Sequence, residues 1–313
     1  MIPEFSIGHY TDLENITGGT VVLAPRDGAI GGVDVRGPAP GTRDTELLAT
    51  GHLIERVHAI VLAGGSAFGL DAASGVMKYL ETQDIGLDVG VARVPLVPSA
   101  VLFDLAIGNA RAYPDAANGF EACVLARNDA VAEGSVGAGT GAVVGKMLQM
   151  ANATKGGIGY SERVLQDEII VSAIVAVNAL GDVIDPSNGK IVGGARNADG
   201  MWADSGQLLL NNDARLPEFL LQNTTIGVVM TNATLNVEQA NLVAMMAHDG
   251  IARATRPSHT LYDGDALFVL ASGTRGAANV TQLGHAAAEC VADAIVRGVK
   301  MATSLGSVRT WQQ

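Results

Sequence analysis

The tripeptide Asn223-Thr224-Thr225 runs straight into the β-branched apolar stretch Ile226-Gly227-Val228-Val229-Met230. A polar turn residue followed by such a run predicts a loop entering a buried strand. A threonine at that mouth can be nothing more than the first residue of a strand. It can also be a nucleophile made by cutting the chain just before it. A freed N-terminal threonine carries its own base, because an α-amine titrates near ~8 and can take the hydroxyl proton. Matches this short are mostly accidental, so the other residues able to do chemistry must be weighed with it. Asp263-Gly264-Asp265 marks a turn whose two carboxylates share one face if the segment is extended, though spacing alone favours a solvated turn. Asn178 closes a long apolar run; such an amide usually satisfies backbone groups, and it also suits an oxyanion donor.

Two Gly-rich stretches resemble phosphate cradles and fail their spacing tests. Gly64, Gly65 and Gly69 do not give GxGxxG, which leaves a tight turn able to present backbone N–H groups and a helix N-terminus to a small polar substrate. In the stretch 134–146, Thr140 stands where a P-loop needs glycine and Met147 where it needs serine or threonine. Lys146 therefore points either to solvent or, in so apolar a setting, at a site.

Behind these residues the elements follow from pattern. Strands are expected at 5–10, 19–24, 58–62, 97–105, within 168–180, and from Thr224 onward. Helices are expected at 70–82, 114–128 with Pro114 in the first turn, 236–254 capped by Asn236, and 279–302. The Gly/Pro-rich stretch 33–45 reads as a loop, either a surface loop or one on the substrate or interface side. The stretch 189–212 reads as a mobile connection toward Asn223, where a cut leaves the fold intact.

Of the 313 residues, 48% are hydrophobic, 17% charged and 39 glycine, which is the composition of a core-rich globular chain with many tight turns. A net charge of −12 without a basic face argues against nucleic acid and anionic membranes as partners. No apolar run approaches the ~20 residues of a membrane span, and the N-terminus lacks the pattern of a signal peptide. Cys123 and Cys290 read as buried free thiols of a cytoplasmic protein. The six histidines show no ligand spacing, so neither metal nor cofactor is expected.

The chain resembles the self-processing N-terminal-nucleophile aminopeptidases of the DmpA type, which include β-aminopeptidases, L-aminopeptidase/D-Ala-esterases and nylon-oligomer hydrolases. The stretches that carry the resemblance are VDVRGPAPGTRDTELL (33–48), HAIVLAGGSAFGLDAASGVMKYL (58–80), VPLVPSAVLFDL (94–105), VGAGTGAVVGK (136–146), NTTIGVVMTNATL (223–235) and YDGDALFVLASG (262–273), in family order across nearly the whole chain. The resemblance implies an α/β (α+β) fold, a layered αββα sandwich in one domain, 1–313. It implies self-cleavage between Asn223 and Thr224 into a large chain, 1–223, and a small chain, 224–313. Thr224 is then the nucleophile, Asp263 and Asp265 its positioning carboxylates, Lys146 the lysine near the site and Asn178 an oxyanion donor. Gly64, Gly65, Gly137 and Gly139 fall on the substrate and oxyanion side. Phe68 stands where some relatives carry a tyrosine whose hydroxyl reaches the site. The expected function is hydrolysis of small peptides, β-peptides or ω-amino acid oligomers, in a homo-oligomer, most simply a tetramer. The alternatives are an acyltransferase of the ornithine acetyltransferase kind, also cut before a threonine, and a non-catalytic small-molecule binding protein.

Overall fold

The computed structural model describes residues 1–216 and 223–313. Two sheets lie face to face and two pairs of helices cover their outer faces. The first sheet takes β1 (Ser6–Asp12), β2 (Thr17–Leu23), β4 (Gly41–Arg43), β6 (Ala59–Ala63) and β7 (Ser99–Val101), in the order β1-β2-β6-β7-β4. The second takes β3 (Ala29–Val35), β5 (Arg56–Val57), β8 (Gly157–Val164), β9 (Ile170–Asn178), β10 (Thr224–Thr231) and β11 (Ala266–Ala271), in the order β8-β9-β10-β11-β3-β5. Helices α1 (Ala72–Thr82) and α2 (Ala116–Val124) pack on the first sheet, and α3 (Val237–Ala254) and α4 (Val280–Lys300) on the second.

Strand alternation builds three apolar layers. In β6, Ile60 and Leu62 face the second sheet while Ala59, Val61 and Ala63 face α1. In β10, Ile226, Val228 and Met230 face the first sheet while Val229 lies under α3 and α4. Each large aliphatic side chain so buried contributes about 1.5–3 kcal/mol. The result is the αββα sandwich expected from the resemblance, and the two helices of the second face begin where capping chemistry places them. Asn236 and Gln239 form a reciprocal capping box, and Asn279 accepts from the N–H of Gln282.

Several expectations need correction. The stretch 33–45 is not a loop throughout: its ends belong to β3 and β4. Gly31 and Gly32 masked β3, and Gly32 is required because a Cβ there would lie 2.5 Å from the backbone of Ala240 in α3. The strand expected at 97–105 shortens to Ser99–Val101. Helix α2 starts at Ala116 and is capped by Asp115 in a box with Asn118, so Pro114 precedes it. The stretch 189–212 holds a strand, Lys190–Gly193, and a short helix, Ser205–Leu210. Buried Asp182 ties both down by accepting from the N–H of Ala195 (2.9 Å) and the N–H and hydroxyl of Ser205 (2.6 and 2.5 Å). Cys123 and Cys290 are buried free thiols, as expected. Among the described residues, no helix is long and apolar enough to cross a membrane.

Candidate active site

Thr224 opens β10 and pairs across the ladder with Asn178, the last residue of β9. Alternation puts both on the face of the sheet that carries Ile174, Ala176, Ile226 and Val228, so both belong to the gap between the two sheets. The Asn178 side chain is held from three directions. Its Oδ1 accepts from the N–H of Val143 (3.0 Å) and from Lys146 Nζ (2.9 Å), and its Nδ2 donates to the carbonyl of Phe103 (3.0 Å). Lys146 Nζ also donates to the Asn178 carbonyl at 2.9 Å.

The backbone explains how a lysine comes to lie there. The N–H groups of Gly145 and Lys146 donate to the carbonyls of Gly181 and Leu180, both at 3.0 Å, which stitches this turn to the end of β9. Lys146 is 5% exposed, so the solvent-facing option is wrong. Burial pulls its ammonium down to about 7, against the opposing pull of the Asp263 charge.

Asp263-Gly264-Asp265 is equally far from a solvated turn, with each carboxylate 2% exposed. Asn223 pairs with Asp263 in a parallel bridge, and the N–H of Gly264 donates to the Asn223 carbonyl at 3.0 Å. The Thr224 hydroxyl donates to that same carbonyl oxygen. Asp265 Oδ1 accepts from the N–H of Thr225 at 2.6 Å. Asp263 Oδ2 accepts from the N–H (2.8 Å) and hydroxyl (2.6 Å) of Thr260. Burial first, and the neighbouring charge of Asp265 second, push Asp263 up to about 6.

The segment 36–39 backs this turn. Arg36 and Gly37 donate from their N–H groups to the Asp265 carbonyl (3.0 and 3.3 Å), and Ala39 donates to that of Asp263 (3.1 Å). The approach is so close that a Cβ on Gly37 would lie 2.2 Å from the Asp263 carbonyl oxygen, and one on Gly264 2.5 Å from that of Ala39.

The five remaining sequence-derived residues contribute less directly. The N–H groups of Gly64, Gly65, Gly137 and Gly139 donate to the Gly18 carbonyl (2.8 Å), Asp104 Oδ1 (2.7 Å), Thr11 Oγ1 (2.9 Å) and the Val136 carbonyl (2.9 Å). Phe68 is 58% exposed and stacks on Tyr113. The link from Gly65 to the site runs through Asp104, whose neighbour Phe103 supplies the carbonyl that holds Asn178.

Sequence reasoning missed three partners. The Gly264 N–H and Thr260 act through backbone geometry that no spacing rule reveals. His259 Nδ1 lies 2.7 Å from Asp265 Oδ2; its closeness in sequence to Asp265 was the only available signal, and a search for metal-ligand spacing passes over it. Among the described residues, no group of three or more His, Cys, Asp or Glu side chains is placed to hold a metal.

A family model for peptidase family S58 matches residues 2–311. The chain is 38% identical to an uncharacterized aminopeptidase of Mycobacterium tuberculosis over 98% of its own length and 94% of the relative's. It is 31% identical to a 6-aminohexanoate-oligomer endohydrolase of Kocuria sp. over 95% of its length and 84% of the relative's. Among solved structures, a β-aminopeptidase of Burkholderia sp. superposes with a TM-score of 0.69 at 21% identity, covering 99% of this chain and 88% of that one. An L-aminopeptidase D-Ala-esterase/amidase of Ochrobactrum anthropi, described as a variant of the Ntn-hydrolase fold, gives 0.72 at 17% identity, covering 96% and 85%. With its length matched almost end to end, this chain belongs to peptidase family S58 and is an amide-bond hydrolase.

Proposed function

We propose that the protein cuts itself between Asn223 and Thr224 and then uses Thr224 as an N-terminal nucleophile on small amides. The observation that carries this reading is the Asn223 carbonyl, which receives the Thr224 hydroxyl on one side and the Gly264 N–H on the other. Attack of Thr224 Oγ on the Asn223 carbonyl carbon, with the hydroxyl proton passing to the uncharged form of Lys146, places negative charge on an oxygen that already has a donor. Collapse breaks the C–N bond, moves the acyl group to Oγ and passes a proton to the departing amine. Water then cleaves the ester, leaving an Asn223 carboxylate and a free Thr224 amine. The two products are the chains 1–223 and 224–313 of what we take to be a single domain.

Turnover reuses the hydroxyl with the new amine as its base. Lys146, down to about 7, and Asp263, up to about 6, both titrate closer to neutrality than an ordinary lysine or aspartate. A site poised in this way exchanges protons at little cost, and a nearby ammonium keeps the Thr224 amine neutral by repulsion. Asn178 is the side-chain oxyanion donor, turned by Val143, Phe103 and Lys146. Gly137 and Gly139 shape the turn that presents Lys146, and Gly64, Gly65 and Phe68 lie on the substrate side. The cavity beside Lys146 and Asn178, which Asp104 and Met150 also line, is only about 10 Å³, room for a single water, so it does not choose among substrates. The candidate substrates are a peptide N-terminus, a β-amino acid amide and an ω-amino acid oligomer; the similarity to 6-aminohexanoate-oligomer endohydrolases favours the last. We place the enzyme in the cytoplasm, as a homotetramer.

The test is a hydrolysis screen across those three substrate types with wild type and Thr224→Ala. Wild type should cleave at least one and Thr224→Ala none. Equal rates in a well-folded Thr224→Ala variant would remove Thr224 from the chemistry.

A further inference from the structure

We propose that His259 is a positioning residue for the nucleophile, acting through Asp265. The inference rests on the reading of Thr224 as nucleophile and extends it. Asp265 is held at both oxygens: Oδ1 by the N–H of Thr225 (2.6 Å), Oδ2 by His259 Nδ1 (2.7 Å). A carboxylate facing a ring nitrogen accepts, so Nδ1 carries the proton and the tautomer is set by the contact. Thr225 is the residue after the nucleophile. A carboxylate pinned at one end by the imidazole and at the other by the Thr225 N–H fixes both the start of β10 and the place of a negative charge beside Asp263.

The imidazole is itself held. His259 has φ +53°, a left-handed backbone that non-glycine residues seldom adopt. Its ring lies 5.1 Å from that of His248 on α3, tilted by 58°. His248 Nε2 donates to the Asp34 carbonyl of β3 at 2.9 Å. His259 Nε2 and His248 Nδ1 are buried with no hydrogen-bond partner among the described residues. Among the described residues, the titratable groups that meet the His259 imidazole are Asp265 on its own turn and His248 on α3; Asp263 lies beyond Asp265, and Asp34 and Arg36, paired at 2.7 Å at the end of β3, lie beyond His248. Nothing in the self-cleavage scheme uses His259 as acid or base, so its contribution is orientation.

The experiment compares wild type, His259→Ala and His259→Asn, whose amide nitrogen can reach the place of Nδ1. Cleavage extent, kcat, KM, the pH profile and the thermal melt are measured for each, with wild type first. If wild type neither cuts nor hydrolyses, the proposed function fails and this inference with it. If wild type does both, His259→Ala should cut more slowly and lose about 10–100-fold in kcat, with KM little changed. His259→Asn should recover most of the loss. A folded His259→Ala with wild-type kcat and pH profile overturns this inference alone. If His259→Ala does not fold, His259→Asn decides: near wild-type turnover supports the inference, and a large loss at an unchanged melt overturns it.

Discussion

Lys146 and Lys155 lie on either side of one turn, both buried and both pulled down to about 7 by burial, yet they meet different surroundings. Lys155 Nζ donates to three backbone carbonyls, those of Gly139 (3.0 Å), Ala142 (2.7 Å) and Gly156 (2.9 Å). An ammonium has three protons, so that set satisfies it. Its attraction to Asp104 is directed at a carboxylate already engaged by the Thr17 hydroxyl and the Gly65 N–H. Lys146 instead lies on the residue paired with Thr224 and in the field of Asp263. Burial and a depressed pKa are thus the same in both, and the neighbours separate the lysine proposed to act in catalysis from one that braces a turn. Lys155 clamps the turn 139–142, and the N–H of the next residue, Val143, orients Asn178. Its influence on the chemistry is one step removed.

Replacing each lysine by methionine should break the pair apart. The largest effect is expected in Lys146→Met: hydrolysis down by about 100-fold or more, with a thermal melt near that of wild type, because a buried charge leaves along with its catalytic contribution. Next in size, Lys155→Met should lose about 2 kcal/mol or more in denaturant unfolding, since three buried carbonyls lose their shared donor. The molecules that fold and cleave should keep turnover within about threefold of wild type. If Lys146→Met costs stability and spares turnover while Lys155→Met does the reverse, the roles are exchanged and the comparison falls.

A further prediction concerns pH and isolates Lys155. Its folded pKa lies below the ordinary 10.5, so between about pH 7 and 10 the unfolded chain binds more protons than the folded one. Over that window this group makes the protein more stable as pH rises; below about 7 its cost is constant. Lys155→Met lacks the effect. The stability difference between wild type and Lys155→Met, from urea midpoints at pH 6.5, 8 and 9.5, should therefore widen in favour of wild type with rising pH. A constant or narrowing difference would mean that burial does not pull the Lys155 ammonium down toward 7.

The contrast also shows how far the sequence could be read. The apolar run after Asn223 gave β10, the cap Asn236 gave α3 and the apolar periodicity of 279–302 gave α4, because these signals are local. The proposed nucleophile could be singled out only because Thr224, Asp263 and Asp265 carried a family pattern; spacing by itself favoured a strand start and a solvated turn. The burial of Lys146 was not legible, since it depends on N–H groups reaching carbonyls at 180 and 181 across the chain. His259 was missed for a similar reason: its meaning lies in a contact to Asp265 and a neighbour on α3, and neither has a periodic signature. The expected glycine N–H donors are spoken for inside the fold, which composition could not reveal.

The central claim is the cut, and the direct measurement is the mass and N-terminal sequence of the purified protein after incubation, beside Thr224→Ala. Two fragments that stay together until denatured, one ending at Asn223 and one reading Thr-Thr-Ile-Gly, are the predicted result, with Thr224→Ala remaining one chain. A fully active wild type that stays a single chain of 313 residues, or a Thr224→Ala variant that still cuts at 223–224, would contradict it.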